Sequence, residues 1–294
     1  MDGIPCFTAA DTWYEGRFTA THPAVYRNIQ NPIFKAFFKG FQVVSLTFRR
    51  DRFLILALRH GRRLAKKSGH VVLDLGCGGG NQLLTQIGSV VGVDLSLASL
   101  KNAQKIYTAA IQCDATCLPF PDETFDMIVS FDVLGHIPAR EKEQVFREMH
   151  RVLKKGGEMV HGIETDSENI FWRFGKRYPE LFQRYFVEEI GGHFGLELPR
   201  RALARFVDYG FTVLKAQMHY TLIWEPAGYL ITFDNEYKSK SLVIRALVGA
   251  SKVVNRFWLL KAAVSLLSGV ATDFLNRFLD FDQATGILVH VRKD

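Results

Sequence analysis

Between residues 70 and 163, short apolar runs rich in β-branched residues alternate with amphipathic helical patterns, and this constrains the fold more than any other feature. His70–Leu75 (HVVLDL), Ser89–Asp94 (SVVGVD), Ala109–Cys113, Phe125–Ser130 (FDMIVS) and Glu158–Ile163 (EMVHGI) read as strands. Asn81–Ile87, Ser96–Tyr107 and Arg140–Leu153 read as helices between them. Continuously apolar strands need cover on both faces, so the pattern predicts a mostly parallel sheet with helices on each side. Further on, Arg200–Tyr209 reads as a helix stopped by Gly210, and Phe211–Gln217 and Gly286–Arg292 read as two more strands.

The chemistry concentrates at the ends of these strands. In Val72–Gly80 (VLDLGCGGG) a strand carrying Asp74 enters a turn with glycine at 76, 78, 79 and 80. Glycines allow a tight turn and let a ligand approach the main chain with no Cβ in the way. Asp94 closes the second strand 18 residues after Gly76, where an acid can accept from both hydroxyls of a ribose. Asp114-Ala115 follows the third strand, where a carboxylate can accept from an adenine amino group. Ser130-Phe131 ends the fourth at the same edge, along which ligands of open α/β sheets bind. Each acid could instead cap a helix.

Taken in order, VLDLGCGGG, VVGVDLS, CDATCLPFPDETFDMIVS, LGHI and REMHRVLKKGGEMV resemble the successive motifs of class I S-adenosylmethionine-dependent methyltransferases, in particular the ubiquinone/menaquinone-biosynthesis type. The resemblance is close over 70–163 and looser over 193–217. It implies a Rossmann-like seven-stranded α/β sandwich, mostly parallel with an antiparallel last strand. It also implies that Asp74 and the turn Gly76, Cys77, Gly78 and Gly80 line the methionine part of S-adenosylmethionine. Asp94 with Leu95 would hold the ribose, Asp114 and Ala115 would border the adenine, and the main chain at Ser130 and Phe131 would meet the amino acid end. S-adenosylhomocysteine would be the product. Simple members join strands six and seven by a short turn, so 218–285 is a helical insertion, read as a lid or an oligomerisation element. The expected organisation is an N-terminal helical cap (1–69), a catalytic domain (70–217 plus 286–294) and this lid.

An oxygen or nitrogen nucleophile needs a base unless it is already ionised. His136 in LGHI, Glu164 beyond the fifth strand and His193 in GGHFGL are the candidates, with His161 more plausibly structural. Four cysteines, none in a Cys-x-x-Cys pair, give no reason to expect a metal or a disulfide.

Composition bears on the acceptor. Of 24 Phe only four fall in 70–163; eight lie in 1–69 and 12 in 164–294. Aromatic segments flanking the catalytic sheet favour a small, lipophilic or aromatic acceptor, with O-methylation slightly ahead of C- or N-methylation. The net charge of +7 belongs to the first 69 residues, where 12 Lys/Arg stand against four Asp/Glu. The basic stretch Arg49–Lys67 reads as a solvated helix face, as a surface for an anionic membrane through FLILAL (53–58), or as a phosphate or RNA site. On a wheel for the insertion, Arg245, Lys252 and Arg256 share one face, with Val243, Leu247, Ala250, Val254 and Phe257 on another. The signature of amino-methylating nucleic-acid enzymes is absent after the fourth strand, which disfavours nucleic acid. Two other classes stay open: an RNA or protein methyltransferase steered by the basic arm, and a cofactor-binding interaction protein without turnover. Met1–Asp11 shows no signal-like run and no stretch suits a membrane span, so a cytoplasmic location, with peripheral membrane contact through the basic helices, is expected.

Overall fold

The computed structural model describes residues 3–7, 15, 32, 69–177, 179–220, 242–257, 260, 263, 264, 267, 271 and 274–294. The basic stretch Arg49–Lys67, nearly all of the expected cap, and 221–241 of the expected lid lie outside the described residues.

Seven strands form one sheet: β1 (Val71–Leu75), β2 (Ser89–Asp94), β3 (Ala109–Gln112), β4 (Phe125–Phe131), β5 (Leu153–Glu164), β6 (Phe211–Tyr220) and β7 (Gly286–Lys293). Their order is β3-β2-β1-β4-β5-β7-β6. Pairs among the first five are parallel, and β7 runs antiparallel to both β5 and β6. The order reverses between β1 and β4, which opens a crevice at their carboxyl ends, the place where such sheets hold ligands.

Side-chain alternation along the strands fills two cores. Leu73, Leu75, Ile128, Met159 and Val289 face one side, Val72, Met127, Val129, Val160 and Leu288 the other. Helices α1 (Leu97–Ala103), α2 (Ala139–Val152) and α3 (Ile170–Gly175) precede an eleven-residue π-helical segment, Glu180–Ile190. Helices α4 (Pro199–Asp208) and α5 (Leu242–Arg256) follow. Val145, Phe146, Met149 and Val152 of α2 join Ala202 and Phe206 of α4 on the first face. Leu100 and Ala103 of α1 cover the second. Pro199 starts α4, where its missing N–H costs nothing, and Gly210 ends it at a positive φ of 82°.

Three local expectations are corrected. Asn81–Ile87 is not a helix; it holds only a 3₁₀ turn, Leu84–Gln86, because the eight residues between Gly80 and β2 must both bury Leu83, Leu84 and Ile87 and return the chain to the sheet. β5 begins at Leu153, directly where α2 ends, well before the expected Glu158. β6 runs on to Tyr220, into the span assigned to the insertion. At the N-terminus the few described residues are extended: Phe7 N–H donates to Gln112 O (2.7 Å) and Gln112 N–H to Pro5 O (2.8 Å), so residues 5–7 lie beside the free edge of β3. Among the described residues no helix is long and apolar enough to cross a membrane.

Candidate active site

The glycine turn sits at the carboxyl ends of β1 and β2. Gly76, Gly78 and Gly80 all have positive φ, and a Cβ on Gly76 would collide with the Val133 side chain beyond β4. The turn is pinned from both sides. Cys77 N–H donates to Val93 O (2.9 Å), and Gly78 N–H donates to Asp94 Oδ2 (2.8 Å). Asp94 Oδ1 accepts from Ser96 N–H (2.9 Å), while Ser96 caps α1 with its own side chain. Burial pushes the Asp94 carboxyl up, and the hydrogen bonds from Ser96 and Gly78 oppose that shift. Leu95, next in the chain, accepts at its carbonyl from Gln112 Nε2 (2.8 Å).

Asp74 points to the second face at the end of β1 and is nearly buried. Its Oδ2 accepts from the Tyr107 hydroxyl (2.6 Å), whose oxygen accepts from Asn81 N–H (2.6 Å). Neither Tyr107 nor Asn81 was marked by a sequence motif. The available signal was periodic: Leu100, Ala103 and Tyr107 continue one apolar stripe, and the last carries a polar tip. Glu15 was missed as well; its carboxylate accepts from Leu97 and Ala98 N–H at the start of α1 (3.1 and 2.8 Å), beside Asp94. Cys77 lies between Asp74 and Asp94, and burial followed by those two charges holds its thiol well above the usual range, so it is a neutral packing group.

Asp114 closes its own turn, accepting at Oδ1 from Thr116 N–H and Oγ1 (both 2.7 Å), with half-buried Ala115 between them. Ser130 is fully buried and its Oγ meets the cross-strand His161 Nδ1 (2.7 Å). Burial pushes His161 down to about 3, and its ring packs on Phe206, so it is a neutral core residue. Phe131 lies over Gly162, the residue with which it pairs on β5.

Three candidates scattered in sequence meet in space. His136 comes from the turn after β4, Glu164 from the end of β5 and His193 from the turn after the π-helical segment. His193 Nε2 lies 2.6 Å from Glu164 Oε2, and His136 Nε2 lies 3.6 Å from the same oxygen. The two imidazoles stack with centroids 4.6 Å apart. His136 Nδ1 is 2.9 Å from Gly192 O, and since a carbonyl only accepts, Nδ1 carries the proton. Burial and then the neighbouring His193 hold His136 below the usual histidine range, so it is neutral with its lone pair on Nε2.

The surroundings hold this arrangement. Gly195 N–H donates to Gly135 O (3.0 Å), and a Cβ at Gly195 would run into Ile137 O, which ties the His193 turn to the His136 turn. Glu197 accepts from buried Lys142 of α2 (2.9 Å) and from Arg205 of α4, anchoring the same turn to two helices. Beside His193 opens a small concavity lined by Trp172, Phe182, Val187, Phe194 and Leu196. Asp166 and Gln183 are its other polar lining residues. Trp172 and Phe182 meet edge to face at 5.1 Å.

Known proteins resemble this chain over its sheet. A family profile described as a methyltransferase domain matches residues 73–161. Over 170 residues the chain is 31% identical to the demethylmenaquinone methyltransferase of Lactiplantibacillus plantarum, covering 46% of this chain and 70% of that protein. The chain belongs to the S-adenosylmethionine-dependent methyltransferase family. Within that family, it is 35% identical over 136 residues to the demethylmenaquinone methyltransferase of Lysinibacillus sphaericus, covering 42% of this chain and 55% of that one. It spans between 39% and 55% of the length of several curated relatives. The YcgJ protein of Bacillus subtilis shares the fold, with a TM-score of 0.51 at 16% identity over 83% of this chain and 98% of that one. The turn suits the cofactor of this family: three positive-φ glycines let it fold tightly against the strand ends, and two carboxylates flank it at the crevice.

Proposed function

We propose that the protein transfers a methyl group from S-adenosylmethionine to an oxygen of a small aromatic or lipophilic acceptor. The observation that carries this reading is the His136–Glu164–His193 cluster standing beside an aromatic concavity at the same sheet edge as the glycine turn. Bound S-adenosylmethionine supplies a methyl group already activated on a sulfonium sulfur and leaves S-adenosylhomocysteine, so the chain must position the acceptor and manage its proton.

Asp94 and Leu95 hold the ribose in this reading, Asp114 and Ala115 border the adenine, and Asp74 with Gly76, Cys77, Gly78 and Gly80 surrounds the methionine part. The main chain at Ser130 and Phe131 meets the amino acid end. Trp172, Phe182 and Phe194 take the acceptor's apolar body. His136 Nε2 receives the acceptor's proton, because its Nδ1–H is committed to Gly192 O. The Glu164 carboxylate, held by His193, then stabilises the imidazolium that forms. A phenol-type acceptor deprotonated this way is nucleophilic at oxygen and also at its ortho carbon. The relatives named for demethylmenaquinone support an aromatic acceptor of this kind.

The division into a cap (1–69), a catalytic domain (70–217 plus 286–294) and a lid (218–285) belongs to the same proposal. So does contact with an anionic membrane surface. Helix α5 supports the latter: Arg245, Lys252 and Arg256 are exposed along with Leu242 (79%), Val253 (51%) and Phe257 (56%). On its opposite side Val248 and Ser251 are buried, whereas Ala250 and Phe257, which the wheel placed on an apolar side, are exposed.

Calorimetry with S-adenosylmethionine, together with mass spectrometry of a cell extract after transfer of a labelled methyl group, tests the reading. Wild-type protein is expected to bind the cofactor and to label an aromatic compound at oxygen. Asp94→Asn is expected to bind it at least tenfold more weakly, about 1.4 kcal/mol. Cofactor binding with no labelled product would favour the interaction-protein alternative, and labelled RNA or protein would favour the basic-arm alternative.

A further inference from the structure

We infer that His136, Glu164 and His193 form a binding site for one divalent first-row transition ion of the zinc or iron(II) class. This is separate from cofactor binding; an ion at this site engages the Nε2 lone pair of His136, so the proton-accepting role proposed for that atom belongs to the ion-free protein.

The inference rests on convergence. One ligand atom from each of the three side chains lies within 4.8 Å of the others. Both imidazoles present Nε2 to the same carboxylate oxygen, at 2.6 and 3.6 Å. A tetrahedral ion with ligand bonds of about 2.0–2.1 Å separates its donors by about 3.3 Å, between those two distances. The longer spacing exceeds a hydrogen bond and suits two ligands sharing an ion.

The second observation is the orientation of His136. Its Nδ1–H donates to Gly192 O at 2.9 Å, leaving the Nε2 lone pair directed toward the carboxylate. Metal-bound histidines are held in this way: the outer nitrogen donates to a carbonyl and the inner one ligates. His193 Nε2 must give up its proton to ligate, by moving it to Nδ1, so an ion replaces the proton now shared with Glu164. The ligands come from three elements held in place around them: Glu164 by β5 pairing with β7, and the two turns by the Gly195–Gly135 hydrogen bond and by Glu197. Loading lengthens the 2.6 Å contact between His193 and Glu164 and turns the two stacked rings so that both Nε2 lone pairs meet the ion.

The donor set decides the class of ion. Two imidazoles and one carboxylate suit zinc, iron(II), cobalt(II) or manganese(II), whereas magnesium and calcium prefer oxygen ligands alone. The three ligands found among the described residues are the number that catalytic sites of this class use, with further positions for other ligands. His193 also lines the aromatic concavity, so an open position on that side would face an acceptor oxygen. The expectation of no metal followed from the absence of a compact ligand motif. These ligands could not have produced one, since Glu164 and His193 are 29 residues apart in sequence.

The test is metal binding to the full chain, with no turnover required. Chelator-treated protein is titrated with cobalt(II) while its visible absorption is followed, and with zinc by calorimetry. The expected result is one ion per chain, with a cobalt spectrum of low coordination number. Glu164→Gln and His136→Asn should each weaken zinc binding by about 100-fold, and His150→Gln, at the far end of α2, should leave it unchanged. Circular dichroism identifies any variant that has not folded, and the other variant then decides. Absence of stoichiometric binding by wild-type protein, or wild-type affinity in both folded variants, would overturn the assignment. Neither result touches cofactor affinity, which is measured separately.

Discussion

Tyr107 does at the scale of one residue what no strand-end motif advertised. Its hydroxyl donates to Asp74 and accepts from Asn81, so it joins the end of β1 to the far side of the glycine turn. Burial, then the Asp74 charge, hold the phenol far above its usual range, so it remains a donor at every working pH. Tyr107→Phe keeps the ring and strands two buried polar partners. The expected cost is about 1–3 kcal/mol in urea unfolding, with weaker S-adenosylmethionine binding in calorimetry. Unchanged stability and affinity would show that water replaces the hydroxyl. Asp94 is the complementary case. Its strand-end position was legible in the sequence, but its grip on Gly78 N–H was not, because that contact depends on the turn folding back over β2.

Among the elements, the turn bearing His193 depends most on tertiary support. It is tied to α2 and α4 through Lys142, Glu197 and Arg205, and only there do the three side chains meet. Burial alone would raise the Glu197 carboxyl, but Arg205 and Lys142 hold it below the usual carboxylate range. A depressed carboxylate contributes stability that is fully present above its unfolded value, near 4.5, and is lost as pH falls through its lower folded value. Melting temperature is therefore expected to drop on acidification below about 4.5 in the wild type. Glu197→Gln should remove part of that drop and should cost about 3–5 kcal/mol at neutral pH, since Lys142 stays buried without its charge partner. A melting curve with the same acid slope in both proteins would refute this account. The helix expected over Asn81–Ile87 failed for a related reason: its apolar periodicity was real, but the short return to β2 left room for only one 3₁₀ turn.

Over the whole molecule, charge and exposed apolar surface point the same way. If α5 and the basic stretch 49–67 meet a membrane, the protein should sediment with phosphatidylserine-containing vesicles, not with neutral ones, and high salt should release it. Equal binding to neutral vesicles would leave the charge without a role. The sheet itself was determined by the sequence. Five β-branched runs separated by helical patterns admit few arrangements, because each run is too apolar to leave either face wet. The acids at the strand ends were readable for the same reason, since a parallel sheet brings every carboxyl end to one edge. What only the tertiary structure decided is which distant side chains share that edge at bonding distance. His136, Glu164 and His193 carry no mutual spacing rule. They meet because β4 pairs with β5, and because an ion pair and a close glycine contact fold the turn after residue 190 against the turn after β4. Local periodicity reports which face a residue takes, and it holds no information about the neighbour that a separate element will bring to it.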